Sequence, residues 1–201
     1  MITIINSETG NFLSVVNMLK KIGYETILTD DYDLISNSKI LIFPGVGNFD
    51  NVMNKIYEKK IDKAILNSLE KNSKLLGICV GMQALFTKSQ EGKIRGLDLI
   101  KGEINKFSFE KKILKIPHMG WNKVNFNKDS KFNEILSENR FYFVHSYFAK
   151  CDDKKDILGV TNYGLNFASS VRKNNIFGVQ FHPEKSHYFG KKFLKTFIEI
   201  D

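Results

Sequence analysis

Leu75-Leu76-Gly77-Ile78-Cys79-Val80-Gly81-Met82-Gln83 decides the fold class. A short apolar segment of strand length runs straight into a helical pattern, with a cysteine at the junction. Residues 75–78 read as a buried strand and the run through Phe86 as a helix. The same unit recurs upstream. Ile2-Thr3-Ile4-Ile5 reads as a first strand, followed by a glycine-containing turn at Thr9-Gly10-Asn11. An amphipathic stretch then carries Val15, Val16, Leu19 and Ile22 at helical spacing and closes at Gly23. Residues 25–28 and 39–43 read as the second and third strands, the latter ending at Pro44-Gly45-Val46-Gly47. Residues 49–71 read as helical with a break near Lys60. Strand and helix in alternation imply right-handed crossovers and a parallel sheet.

Beyond Leu97 the pattern changes to short alternating segments at residues 100–107, 123–126, 141–144, 157–161, 167–171 and 176–179, antiparallel or mixed in character. The chain closes on a helix over residues 189–200, where Phe189, Phe193 and Phe197 form an apolar stripe at i, i+4, i+8. No repeat, low-complexity tract or linker interrupts residues 1–201. The expectation is one α/β domain: a central, mostly parallel sheet flanked by helices, with an antiparallel extension in the second half.

The 201 residues suffice for a sizeable core, and 42% hydrophobic with 26% charged residues is a globular composition. Two cysteines, Cys79 and Cys151, without C-x-x-C spacing, exclude a disulfide scaffold and a zinc knuckle. The N-terminus turns polar at Asn6 and no run of eighteen apolar residues occurs, so a signal peptide and a membrane span are not expected. A reduced, cytoplasmic protein without metal or cofactor is the expectation. The net charge of +8 comes from 27 Lys and only 3 Arg, scattered rather than striped. Phosphate and base recognition leans on arginine forks, so a solvated basic surface is favoured over nucleic-acid binding.

Two segments carry chemistry. In Gly77-Ile78-Cys79-Val80-Gly81, small residues two before and two after the cysteine permit a sharp strand-to-helix turn that presents the side chain at its tip. In Gln180-Phe181-His182-Pro183-Glu184, an extended chain places His182 and Glu184 on one side, and Pro183 keeps His182 out of helical geometry. A nucleophile (Cys79), a base (His182) and a carboxylate that orients it (Glu184) complete a catalytic set. The His-x-Glu of zinc deaminases is excluded, since no cysteine follows Cys151.

Pro44-Gly45-Val46-Gly47, Gly77-Ile78-Cys79-Val80-Gly81-Met82-Gln83 and Gln180-Phe181-His182-Pro183-Glu184 together resemble the three signatures of class I glutamine amidotransferases, whose fold is flavodoxin-like. Lys115-Ile116-Pro117-His118-Met119-Gly120-Trp121-Asn122, Phe141-Tyr142-Phe143-Val144-His145-Ser146-Tyr147 and the Lys185-Ser186 pair are similar to the glutaminase subunit of imidazole glycerol phosphate synthase. The resemblance implies hydrolysis of L-glutamine through a Cys79 thioester, with an oxyanion hole from the backbone N–H groups of Val46 and Val80. It also implies substrate contacts at Gly47, Gln83, Glu91, Ser146 and Tyr147. A (β/α)₈-barrel synthase subunit would receive the ammonia and meet Asn11, His118, Trp121 and Lys185, forming imidazole glycerol phosphate and AICAR in histidine biosynthesis. One stretch departs from the family. Asn6-Ser7-Glu8-Thr9-Gly10-Asn11 stands where Asp-Tyr-Gly-x-Gly-Asn is usual, and only Gly10 and Asn11 agree. A paralogous glutaminase that feeds amidination of a surface-polysaccharide or flagellar sugar is the alternative that this departure keeps open.

Overall fold

Ile2, Ile4, Ile5, Leu41, Ile42, Leu75, Leu76 and Ile78 are all essentially without solvent contact. That is the signature of strands covered on both faces, as a parallel sheet between helical layers requires. The computed structural model describes residues 1–109, 114–136 and 138–200. Its first half runs β1 (Ile2–Ile5), α1 (Phe12–Lys21), β2 (Thr26–Thr29), α2 (Tyr32–Ser36), β3 (Ile40–Gly45), α3 (Phe49–Glu58), α4 (Ile61–Glu70) and β4 (Lys74–Cys79). Then come α5 (Val80–Gln83), β5 (Phe86–Ser89), β6 (Ile100–Lys106), β7 (His118–Asn122), β8 (Asn125–Phe126) and α6 (Lys131–Ile135). The chain continues through β9 (Phe141–His145), β10 (Tyr147–Cys151), β11 (Ile157–Asn162), β12 (Asn166–Lys173), β13 (Ile176–Val179) and α7 (His187–Glu199).

The main sheet is ordered β2-β1-β3-β4-β13-β12-β10-β6-β5, with β11 joining β12 to β8. Strands β2, β1, β3, β4 and β13 are parallel neighbours, and β12 turns the sheet antiparallel. β13 lies beside β4 in the register Val179↔Ile78, although about a hundred residues separate them in the chain. This pairing brings the segment carrying His182 next to Cys79. In open α/β sheets, ligands sit beyond the carboxyl ends of the strands, and those ends of β3, β4 and β13 converge here.

The helical break near Lys60 is real: α3 and α4 are separate helices and Lys60 takes φ +57° between them. The closing helix buries Phe193 and Phe197 completely and Phe189 in part. One expectation needs correction, and further elements were not anticipated. The helix after Cys79 stops at Gln83, and Phe86 instead begins β5, which pairs in parallel with β6 (Phe86↔Ile100). A partner 14 residues away in sequence takes over the backbone hydrogen bonds, so tertiary pairing overrides the local helical pattern. The short helix α2, capped by Asp31 (Leu34 N–H to Oδ1, 2.8 Å), is too brief to show a period. Strands β7 and β10 also went unpredicted, although β7 pairs with β9 in a separate two-stranded sheet.

Candidate active site

Cys79 ends β4 with φ +56° and ψ −112°, a region that side chains with a Cβ rarely enter. The backbone can turn so sharply because its neighbours are glycines. A Cβ on Gly81 would overlap the carbonyl oxygen of Phe43 in β3, and one on Gly77 would press on the Gly81 carbonyl. β3, β4 and α5 thus touch backbone to backbone. The thiol is nearly buried but lines a cavity of about 480 Å³. Because α5 is a single turn, its dipole is smaller than the longer expected helix would have supplied.

His182 is held from three sides. Its N–H donates to the Tyr142 carbonyl (2.9 Å), Ser186 Oγ donates to its carbonyl (2.6 Å), and its Nδ1 lies 2.8 Å from Glu184 Oε1. The carboxylate can only accept, so Nδ1 carries the proton and Nε2 is the nitrogen left for chemistry. Both side chains are 2% exposed. Residues Pro183–Lys185 form a 3₁₀ turn rather than the expected extended run, and the turn still closes Glu184 onto His182. Burial alone would push the imidazole toward neutrality. Cys79 and the Glu184 carboxylate outweigh it and raise the His182 pKa to about 10. Its Nε2 is buried and, among the described residues, without a hydrogen-bond partner.

The same cavity gathers most of the residues that the sequence singled out: Cys79, Val80, Gln83, Glu91, Ser146, Tyr147 and His182 inside it, and Asn11, Val46, Gly47 and Lys185 with them. Glu91 is not a solvated loop carboxylate. It is half-buried, its Oε2 accepts the Phe49 N–H at the start of α3 (2.9 Å), and burial raises its pKa. The resemblance assigns the backbone N–H of Val46 to the oxyanion hole. That N–H donates to the Thr9 carbonyl at 3.1 Å and so is withheld from the cavity in this arrangement. Gly47, at φ +94° with open space where a Cβ would be, leaves the loop free to turn. Lys185 is exposed and lies over the Tyr142 ring, 5.7 Å from its centroid.

The sequence profile of the class-I glutamine amidotransferases matches residues 3–200. The chain belongs to that family. It is 49% identical over 202 residues, 99% of each chain, to "Imidazole glycerol phosphate synthase subunit HisH 2" of Methanococcus maripaludis. It is 41% identical over 205 residues, the whole of both chains, to the HisH subunit of Leptospira borgpetersenii. A crystal structure of a glutamine amidotransferase superposes with TM-score 0.78 at 18% identity, covering 99% of this chain and 98% of the other, so the fold is shared.

Three residues in or near this cavity depart from their expected places or were missed. His118, expected at a partner face, is 3% exposed. It stacks between Phe143 (4.8 Å) and Tyr163 (4.1 Å), and its Nδ1 lies 2.9 Å from His145 Nε2. Its ring therefore points into the fold, while its neighbours in β7, Met119 and Trp121, face outward. His145 lines the cavity and was not anticipated, although it lies inside a quoted motif. Its Nδ1 contacts the Tyr147 carbonyl at 2.6 Å, so that nitrogen is the donor; His118 Nδ1–H then donates to His145 Nε2, and both rings are neutral. Burial lowers His118 to about 4 and His145 to about 3. Gln180 was read only as part of the histidine motif. The structure places its side chain between Gln83 and the cysteine sulfur.

Proposed function

We propose that this chain is the glutaminase subunit of an imidazole glycerol phosphate synthase, and that Cys79, His182 and Glu184 are its catalytic triad. The observation that carries the reading is that a strained Cys79 and a carboxylate-oriented His182 line one cavity beyond the carboxyl ends of the adjacent parallel strands β4 and β13. The Cys79 thiolate attacks the side-chain carbonyl of L-glutamine, and the carbonyl electrons move onto oxygen. His182 passes its Nε2 proton to the amide nitrogen, the C–N bond breaks, and ammonia leaves a thioester behind. Neutral His182 then takes a proton from water as the hydroxide attacks the thioester. The C–S bond breaks, glutamate departs, and thiolate and imidazolium are restored.

The Val80 N–H, on the first residue of α5 and without an intrahelical partner, is one oxyanion donor. The second requires the Val46 N–H to leave Thr9. Removing one such donor from a hydrolase costs roughly 10²–10³ in turnover, so this single hydrogen bond can hold basal activity low. Gln83, Ser146, Tyr147 and Gly47 would position glutamine, with the Glu91 carboxylate toward its ammonium. Because the loop of residues 6–11 carries Thr9, a partner that rearranges it would switch the site on.

Ammonia released into water becomes ammonium, which has no lone pair with which to attack. A shielded transfer to a docked synthase follows, and the cavity mouth has the surface for it. Leu13, Ile116, Met119 and Trp121 expose large apolar groups beside Asn11, Pro117 and Lys185. Trp121 is 47% exposed and stacks flat on His187 (5.5 Å, 11°), an aromatic anchor held ready at a surface. We assign this face to the (β/α)₈-barrel synthase subunit.

A diazo-ketone analogue of glutamine should label Cys79 and leave Cys151 unmodified. Cys79→Ala should lower partner-stimulated glutamate release by about 10⁴-fold or more while the protein stays folded. Labelling confined to Cys151, or full activity in Cys79→Ala, would overturn the triad. Glutamate release that responds only to a sugar-modifying partner, and not to the barrel synthase, would redirect the pathway assignment and leave the triad standing.

A further inference from the structure

Gln180 follows β13 and is wholly buried, its backbone N–H bound to the Ser169 carbonyl at 2.9 Å. Its side-chain amide meets two partners. Oε1 accepts from Gln83 Nε2 at 3.0 Å, and Nε2 lies 3.7 Å from Cys79 Sγ, within hydrogen-bond range for sulfur. We infer that Gln180 is a further catalytic residue of this site, whose amide N–H donates to the Cys79 sulfur and stabilises it as thiolate before attack and again as leaving group. This rests on the reading of Cys79 as the nucleophile.

The orientation of the amide is chosen by its surroundings. A thiolate has lone pairs and no proton, so it repels an amide oxygen and attracts an amide N–H. Turning Gln180 over by itself would put its oxygen on the sulfur and its N–H₂ against the N–H₂ of Gln83, unfavourable at both ends. Packing does not explain the residue either. A buried amide is unfavourable unless its hydrogen bonds are made, and leucine fills a similar volume without that requirement. Here both hydrogen bonds are made, and one goes to the reacting atom.

No proton leaves Gln180 in this role. As the C–S bond forms and the C–N bond breaks, the charge on sulfur disappears and the hydrogen bond weakens. As water cleaves the thioester, the C–S bond breaks, the charge returns to sulfur, and the N–H stabilises the departing thiolate. Through Gln83, which lines the cavity, the same amide ties substrate recognition to the state of the nucleophile.

The test is the rate of alkylation of Cys79 by iodoacetamide, small and uncharged, followed from pH 5 to pH 9 on the full-length chain. Wild type is compared with Gln180→Leu, which removes donor and acceptor, and with Gln180→Glu, which keeps the shape and the acceptor for Gln83. Both variants should retain the wild-type circular-dichroism spectrum. The Gln180→Leu rate should fall about tenfold at pH 6, with the whole profile displaced toward higher pH. Gln180→Glu should be slower than wild type wherever the new side chain is ionised, and kcat should fall with KM for glutamine nearly unchanged. If Gln180→Leu does not fold, Gln180→Glu carries the test. Folded variants whose alkylation profiles superimpose on that of wild type would overturn the role of Gln180. A wild-type protein alkylated at Cys151 but never at Cys79 would instead overturn the nucleophile assignment beneath it.

Discussion

The parallel half of the molecule, β1 to β4 with β13, and its antiparallel half, β6 to β12 with the separate β7–β9 pair, line the same cavity with different materials. The parallel half is aliphatic at its centre (Ile4, Ile5, Leu41, Ile42, Leu75, Leu76) and makes its part of the site from backbone: the strained Cys79, the Val46 loop and the glycine contacts among β3, β4 and α5. The antiparallel half is aromatic. Phe107 packs against Phe148 (4.8 Å) and Phe167 (5.5 Å), and the His118–His145 pair lies among such rings. Histidines behave oppositely in the two. His182, facing Cys79 and the Glu184 carboxylate, is driven up to about 10, whereas His118 and His145, facing rings and each other, are driven down to about 4 and 3. Burial is common to all three, so the charge of the neighbours decides the sign.

The contrast can be broken first on the parallel side. Glu184→Gln retains a side chain of the same shape but removes the charge that keeps His182 protonated at Nδ1. Turnover should drop by about 10²–10⁴-fold with KM little changed, measured as glutamate release in the partner complex. A loss under threefold would mean that Glu184 does not orient the imidazole.

Stability against pH sharpens the contrast next. The unfolded histidines take up protons near pH 6.5, while His118 and His145 do not until about 4 and 3. Their contribution is therefore complete above pH 6.5 and is lost as the pH falls through about 4 and 3, on the order of 3 kcal/mol for each ring by pH 4. His182 works the other way. Its raised pKa gives a contribution that is present below pH 6.5 and fades as the pH rises through about 10. Thermal midpoints recorded from pH 7 to pH 4 should fall steeply in wild type and about half as steeply in His118→Phe, which preserves the stacking and removes one titrating ring. An unchanged slope would place the acid sensitivity elsewhere in the molecule.

The smallest expected effect lies on the surface of the antiparallel half. Trp121→Ala should weaken binding of the barrel synthase subunit by about 30-fold, the scale of an aromatic hot spot. The thermal midpoint of the isolated chain should move by only a degree or two, because the ring is half exposed. Calorimetric titration of the synthase with the variant checks this, and unaltered affinity would move the partner to another face.

Much of the parallel half was legible because its decisive features are local. A glycine two residues to either side of Cys79 and a proline after His182 constrain the backbone whatever the rest of the chain does, and the helical break at Lys60 was visible in the pattern. The antiparallel half was less so. β7 carries Pro117 at its threshold and Gly120 within it, which disguises a strand, and its pairing with β9 depends on residues 19 to 27 positions away. The site shows the same division. Cys79, His182 and Glu184 could be named from their motifs, while Gln180 and His145, inside quoted motifs themselves, acquired partners only when β13 met β4 and β7 met β9.

What the amino-acid order determined by itself was the α/β alternation, the sharp bend at Cys79 and the candidate chemistry of three side chains, since these rest on steric limits and residue types acting over a few positions. Tertiary structure alone decided where the Val46 N–H points, which histidines stay neutral and which way the Gln180 amide faces. Each of those outcomes is an electrostatic or hydrogen-bonding balance among groups from distant segments, and such a balance does not exist until the strands carrying them are side by side.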